Sequence, residues 1–305
     1  MYGDSREDRG WERVMKFSII VVCLNEGEKL HKTIDSILEQ TEEDYEIIVK
    51  DGGSTDGSVE RLVGGDGHAD DFTQKCVDNG RIKIYCEKDS GIYDAMNQAV
   101  KHASGEYIFF LNCGDYLYQK DVLSQVKRLM EKEEKKERHG RRPRIYYGNI
   151  WERMTGALVQ SNPKMDDFGC YRNVPCHQAC FYDRQLLVSR EFDTNYLVRA
   201  DYEHFLWCYY KAKAHTVYLP VTVASYEGGG FSETKENVRR SAREHRQIVG
   251  KYMPSGKVLK YRLLMLITFA PVRTYLSHNP LTAGIYQTGK RKVYEGYRRI
   301  SGKKR

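Results

Sequence analysis

None of the eight cysteines falls in a Cys-x-x-Cys pair. Without that spacing the usual knuckles of a structural zinc site are missing, and the loose group Cys170, Cys176, His177 and Cys180 does not replace them. Free thiols in a reducing compartment are expected. No secretory leader is expected. The first fourteen residues are polar and charged, and the apolar run Phe17–Cys23 is too short for the core of a cleaved signal. Met15, just before that run, is compatible with an internal start, which would make residues 1–14 a dispensable tail. No apolar stretch reaches the roughly 20 residues of a spanning helix. No internal repeat is visible.

What is present suffices for a core. Of 305 residues, 40% are hydrophobic and 12% aromatic, which excludes a wholly disordered chain. Charge is unevenly distributed. Residues 251–305 hold thirteen Lys or Arg and one acid, a net of +12, so the remainder is at −5 of the total +7. A tail this basic calls for an anionic partner: a membrane surface, a nucleic acid or a phosphorylated substrate. Its tyrosines lie in no recognisable nucleic-acid module, so no nucleic acid is expected.

Hydrophobic patterning alternates strand and helix. Strands are expected at 17–23, 45–50, 82–87 and 107–112, with helices at 28–40, 92–102 and 121–136. Units of about 30 residues of this kind build a parallel sheet with helices on both faces. The second half is less regular. An antiparallel pair is expected at 145–151 and 158–161, and a strand at 178–182. A helix follows at 200–211, then short strands at 217–219 and 221–225 and a basic helix at 233–252. Sheets of this class bind ligands at the carboxyl ends of their strands. Those ends hold Asn25, Asp51, Asp89 and the turn Asn112–Asp115.

Each polar end has a structural and a chemical reading. Asp51-Gly-Gly-Ser-Thr-Asp-Gly57 follows a strand and is expected to open a short helix. Its glycines would let the backbone approach a ligand and Asp51 would accept from a base or ribose, or Asp56 merely caps. In 87–97, Asp89 and Asp94 lie near the crevice and Tyr93 and Asn97 share a helix face, while Asp89 or Ser90 would equally serve as the N-cap. Asn112-Cys-Gly-Asp115 ends an apolar strand in an oxygen-rich turn. Asp115, helped by Asn112, can hold Mg²⁺ or Mn²⁺ when a diphosphate supplies other ligands, or it caps the next helix. Asp201 opens a helix, where it either answers the dipole or acts as a general base. His177-Gln178 is a polar pair at a strand start. The stretch 258–270, with Leu263-Leu-Met-Leu-Ile, reads either as an interfacial helix on an anionic leaflet or as a helix packed on the main domain.

Taken in order, SIIVVCLNEGEKLHKTIDSILEQTEEDYEIIVKDGGSTDGS, EKDSGIYDAMNQAVKHASGEYIFFLNCGD and HQACFYDRQLL…DTNYLVRADYEHFLWCYYKA resemble the family 2 glycosyltransferases of GT-A fold, over about residues 16–226. The Asp-Gly-Gly-Ser and Asn-x-Gly-Asp pattern is similar to enzymes of bacterial surface-polysaccharide assembly. The resemblance implies an α/β, Rossmann-type, mostly parallel sheet at 16–228 and a basic helical extension at 229–305. It implies an inverting enzyme that moves a sugar from a nucleotide-diphosphate sugar to an acceptor hydroxyl. The base then falls on Asp201, the metal on Asp115 with Asn112, and the nucleotide-sugar side on Asn25, Glu26, Asp51, Asp89, Asp94 and Asn97. His177 and Gln178 fall on the acceptor or sugar side.

Three departures stand out. The family's Asp-x-Asp-Asp run is Asn112-Cys113-Gly114-Asp115, its frequent double Asp is Asp51-Gly52, and a common stacking Tyr is Leu24. A glycan or lipid-linked glycan acceptor is expected, with the protein cytoplasmic and peripheral on the inner face of the membrane. A sugar-1-phosphate nucleotidyltransferase would need a glycine-rich basic loop after the first strand, where Asn25-Glu-Gly-Glu-Lys29 stands. A non-catalytic carbohydrate-binding protein is the other rival.

Overall fold

The computed structural model describes residues 15–63, 71–136, 142–231 and 234–267. In chain order the elements are β1 (Phe17–Cys23), α1 (Glu28–Leu38), β2 (Tyr45–Asp51), α2 (Asp71–Asp78), β3 (Ile82–Cys86), α3 (Ile92–Val100), β4 (Tyr107–Phe110), β5 (Tyr116–Leu117) and α4 (Val122–Glu134). They continue with β6 (Arg144–Glu152), β7 (Ala157–Val159), α5 (Asp167–Arg172), a 3-10 turn (His177–Ala179), β8 (Cys180–Asp183), α6 (Arg184–Ser189), α7 (Ala200–Tyr210), β9 (His215–Tyr226), α8 (Lys235–Tyr252) and α9 (Ser255–Ile267). The chain divides into two compact units, one through Ile248 and one from Val249.

The strands form one sheet in the order β3-β2-β1-β4-β8-β6-β9-β5, with β7 on β6. Its first four strands are parallel, with Ile19 opposite both Ile47 and Phe109. The runs Ser-Ile-Ile-Val-Val and Glu-Ile-Ile-Val-Lys are β-branched and buried on both faces, as a sheet covered by helices requires. Each fully buried Ile or Val there contributes about 1.5–3 kcal/mol. Helix α1 buries Leu30, Thr33, Ile34 and Ile37, one stripe at helical spacing. Beyond β4 the sheet turns antiparallel through β8, so it is a mixed sheet.

Two expected strands, 217–219 and 221–225, are one strand, β9. The sequence break lies at Pro220, which has no N–H for a ladder. The break survives as a bulge: Tyr147 faces Tyr218, but Asn149 faces Thr222. Gly148 sits at that step, where a Cβ would come within 2.5 Å of the Val221 carbonyl.

The sheet also buries a charge that patterning does not flag. Glu46 on β2 is fully buried and accepts from Ser18 Oγ (2.6 Å), Ser104 N (2.7 Å) and Oγ (2.8 Å), and Lys83 Nζ (2.7 Å). These bonds tie β1, β2, β3 and the turn before β4 to one another. Gly105 completes the joint: a Cβ there would lie 2.6 Å from the Phe17 and Ser18 backbone. Burial pushes the Glu46 carboxyl up, but Lys83 and the two serines outweigh it and hold it below its ordinary 4.5. A depressed carboxyl stabilises the fold above its unfolded pKa, and the contribution is lost as pH falls through the folded value. Glu46→Gln is therefore expected to lower stability by about 1–3 kcal/mol at pH 7. In chemical denaturation the difference from the parent narrows below about pH 4. A difference that stayed constant into acid would refute this account.

Candidate active site

The carboxyl ends of β1 and β2 are laced together. The Asn25 N–H donates to Ser54 Oγ (2.8 Å), and Asn25 Oδ1 accepts from Thr55 N (2.9 Å). Gly27 N donates to Asp56 Oδ2 and Ser58 Oγ. Asp51 closes its own turn by accepting from Gly53 N (2.9 Å) and Ser54 N (2.8 Å) and Oγ. The residues after Gly57 form turns and not the expected short helix. The Asp51 and Asp56 carboxylates accept from Ser54 N and Ser58 N and close the tight turns that replace it.

Beneath the turn Lys50 is buried, donating to the carbonyls of Asp51 and Glu87 and to Asp89 Oδ2 (3.0 Å). Asp89 presses so close to Gly52 that a Cβ there would meet Oδ2 at 2.8 Å. Glu26 stands beside this turn, its carboxyl raised by burial despite the opposing charge of Lys29.

Helix α3 begins at Gly91, with no side chain capping it. Asp94 instead reaches back to Ser90, accepting from its N (2.8 Å) and Oγ (2.9 Å). Asn97 is buried with both ends of its amide on the Phe192 backbone (2.9 and 2.8 Å). Its polar atoms are thus committed to the fold, while its neighbour on the same face, Tyr93, reaches the site.

The turn after β4 is built around Asp115, which is buried. Oδ2 accepts from Gln178 Nε2 (3.0 Å) and Oδ1 from Glu227 N (2.8 Å). Burial pushes this carboxyl above its ordinary 3.8, although both donors and the charges of His177 and Arg153 oppose the shift. Gly114 has φ 90°, and a Cβ there would run into the Glu227 carboxylate. Arg153 lies over the Tyr116 ring at 4.3 Å and donates to the Gly114 carbonyl. Glu227 pairs with Lys29 at 2.8 Å. These partners come from α1, the 3-10 turn and the residues just after β6 and β9, too far along the chain for local motifs to reveal.

Asp201, in the first turn of α7, accepts from Tyr93 Oη at Oδ1 (2.9 Å) and faces His177 Nδ1 at Oδ2 (3.3 Å). Its side chain remains 24% exposed. Asn112 Nδ2 lies 3.2 Å from His177 Nε2. A proton on Nδ1 points toward Asp201 Oδ2 in either the neutral or the charged imidazole. Burial works against the Asp201 charge, but the His177 hydrogen bond and charge, the Tyr202 N–H and Tyr93 prevail and hold the carboxyl below 3.8. The other acid of this turn, Glu203, is fully buried and pairs with Arg190 at 2.8 Å. His204 is pushed down to about 4 by burial. Of the acidic stretch at 201–204, Asp201 alone keeps both its charge and an exposed edge.

The dipeptide His177-Gln178 thus joins the two carboxylates: His177 holds Asp201 and Gln178 holds Asp115. Among the described residues no group of three or more His, Cys, Asp or Glu could hold a metal unaided. Asp115 and Asn112, whose Oδ1 is buried with no hydrogen-bond partner, offer two oxygen donors. Two oxygens are too few for a resident Mg²⁺ or Mn²⁺ but suit one that arrives with a diphosphate.

An open α/β sheet with acids gathered at its strand ends places them in the crevice where sheets of this class bind ligands. The model of "Glycosyl transferase family 2" matches residues 18–197, well over half the chain. A "PGL/p-HBAD biosynthesis glycosyltransferase" of Mycobacterium bovis is 34% identical over 229 residues, covering 73% of this chain and 83% of the relative. Among solved structures, S. aureus TarS 1-349 with UDP-GlcNAc superposes with a TM-score of 0.56 at 15% identity, over 81% of this chain and 69% of that one. The mannosyltransferase PcManGT from Pyrobaculum calidifontis, with GDP-Man and Mn²⁺, gives a TM-score of 0.57 at 17% identity, over 94% and 83%. The chain belongs to glycosyl transferase family 2 and is a glycosyltransferase. The family match ends at residue 197, ahead of Asp201.

His177→Ala removes the main contact that keeps Asp201 ionised. A ¹³C NMR titration of the Asp201 carboxyl is expected to give a value below 3.8 in the parent and a higher one in the variant. An unmoved titration would shift that role to Tyr93 and the Tyr202 N–H.

Proposed function

We propose that the enzyme moves a sugar from a nucleotide-diphosphate donor to an acceptor hydroxyl in one in-line displacement, with inversion. The observation that carries this reading is the state of Asp201. It is hydrogen-bonded by His177 and Tyr93 with its carboxyl held below the ordinary value, partly exposed, and tied through His177-Gln178 to Asp115. In this role Asp201 takes the acceptor proton as the oxygen attacks the anomeric carbon. Asn25, Glu26, Asp51, Asp89 and Asp94 shape the donor side, Asp51 and Asp89 by fixing the turn whose backbone would approach the nucleotide. A divalent cation arriving with the donor would be held by Asp115 and Asn112, and when bound it offsets the charge of the departing diphosphate.

Asp201→Asn is expected to lower turnover by about 10²–10⁴-fold while nucleotide binding survives. A thermal-shift screen of UDP, GDP and dTDP with and without Mn²⁺ supplies the binding readout and identifies the base. Full activity in that variant would remove Asp201 from the role. A nucleotide shift indifferent to Mn²⁺ would remove the cation.

For the acceptor, we infer a glycan or lipid-linked glycan at an anionic membrane face, in polysaccharide or glycolipid assembly. The similarity to a PGL/p-HBAD biosynthesis enzyme favours a glycolipid. Helix α9 supports the same reading: none of its residues is buried, and Leu259, Leu263, Leu266 and Ile267 are exposed alongside Lys257, Lys260 and Arg262. The rest of the apolar stretch, 268–270, and the basic residues beyond it lie outside the described residues. No helix among the described residues is long and apolar enough to cross a membrane. The protein is expected to co-sediment with phosphatidylglycerol vesicles at low salt and to be released by high salt. Indifference to such vesicles would sink the membrane role.

A further inference from the structure

Helix α8 follows the sheet in sequence and lies wholly beyond the family match, yet it grips the segment that presents Asp201. Glu244, near its middle, is 5% exposed. Its carboxylate accepts three consecutive backbone N–H groups: Leu197 at 3.1 Å, Val198 at 3.1 Å and Arg199 at 2.9 Å. Arg199 is the residue at which α7 begins, two before Asp201. One turn earlier on α8, Ser241 Oγ accepts from Arg199 Nε at 2.7 Å. On the far side of Asp201 the His245 ring stacks on Tyr202 at 5.3 Å. The same helix therefore holds the chain immediately before and immediately after the acid.

The geometry also links Glu244 to the hydrogen bonding of Asp201. The Tyr93 hydroxyl lies 3.0 Å from the Val198 carbonyl and 2.9 Å from Asp201 Oδ1. A phenol has one proton, so these two acceptors share it. Glu244 fixes Val198 by its N–H, and with it the carbonyl that competes for that proton. A carboxylate buried among neutral side chains would be costly, but three charge-assisted bonds to backbone N–H groups compensate it. A glutamine has a single acceptor oxygen and brings an amide N–H toward donors, so it cannot reproduce the set.

We propose that Glu244 is a positioning residue for the transfer reaction: from α8 it sets the place of Asp201 and of the Tyr93 hydroxyl. The proposal rests on the reading of Asp201 as the base. A residue that acts only by placing the base affects the chemical step and leaves donor binding alone.

The test compares the full-length parent with Glu244→Gln, Glu244→Asp, Asp201→Asn and the double variant Asp201→Asn/Glu244→Gln. Release of nucleoside diphosphate is followed over a panel of UDP-, GDP- and dTDP-hexoses with Mn²⁺, and the hexose turned over by the parent then serves as the probe. Thermal unfolding identifies which variants fold, and Glu244→Asp, which keeps the charge, carries the test should Glu244→Gln not fold. The expected result is a kcat lower by on the order of 10- to 100-fold in Glu244→Gln, with KM for the probe unchanged. In the Asp201→Asn background the second change should cost nothing further. A parent-like kcat in folded Glu244 variants, a rise in KM in place of the fall in kcat, or a full further loss in the double variant would overturn the proposal. Those results with Asp201→Asn inactive reject the role of Glu244 alone. A fully active Asp201→Asn rejects the reading of the base, and the positioning role with it.

Discussion

The site depends on a two-residue tether. His177 and Gln178 are adjacent in the chain, but their side chains bond Asp201 on α7 and Asp115 after β4. The turn that carries them runs straight into β8, which pairs antiparallel with β4. The register of two strands therefore sets where the two carboxylates meet the two partners. The partners also shift the two acids in opposite directions. His177 holds the Asp201 carboxyl below its ordinary value, while burial pushes Asp115 up against its hydrogen-bond donors and the charges of His177 and Arg153. A buried charge of this kind is one that a cation brought by a diphosphate would offset.

The rest of the fold works to keep this tether in register. Glu46 joins three strands to the turn that leads into β4, and Lys50 joins the ends of β2 and β3 beneath the Asp51 turn. Close approach explains Gly52, Gly105 and Gly114, each with another group where a Cβ would stand. At Gly114 the intruding group is the Glu227 carboxylate, so a side chain there would push on the residue whose N–H holds Asp115.

How much of this the sequence discloses follows from the range of each contact. The strands β1 and β2 are legible because burial on both faces leaves a continuous β-branched run. The turn at Asp115 is legible because polar residues end an apolar strand abruptly, and Asp201 because an acid opens a helix. Pro220 suggested two strands, since a missing N–H looks alike at a strand end and at a bulge. Asn97 reads as a ligand contact from its place on the Tyr93 face, while the fold engages its amide with Phe192, 95 residues away. Short elements such as β5 and α6 carry too few residues for a period to appear. Glu244 leaves no local trace: it is one acid in a basic helix, and its meaning lies in three backbone groups 45–47 residues upstream. The order of motifs, which the family match bears out, made up for part of this.

The central claim is that a single carboxylate, Asp201, works against a donor anchored near Asp115, so that the sugar is displaced once. The configuration of the product's anomeric carbon tests it most directly. ¹H NMR of the reaction from its first turnovers, with an α-linked nucleotide sugar that the enzyme consumes, reads the anomeric coupling of the new glycoside. The account predicts a β-linked product from that donor. An α-linked product would contradict it, because retention requires a second displacement or a front-face route, and a single base at Asp201 serves neither.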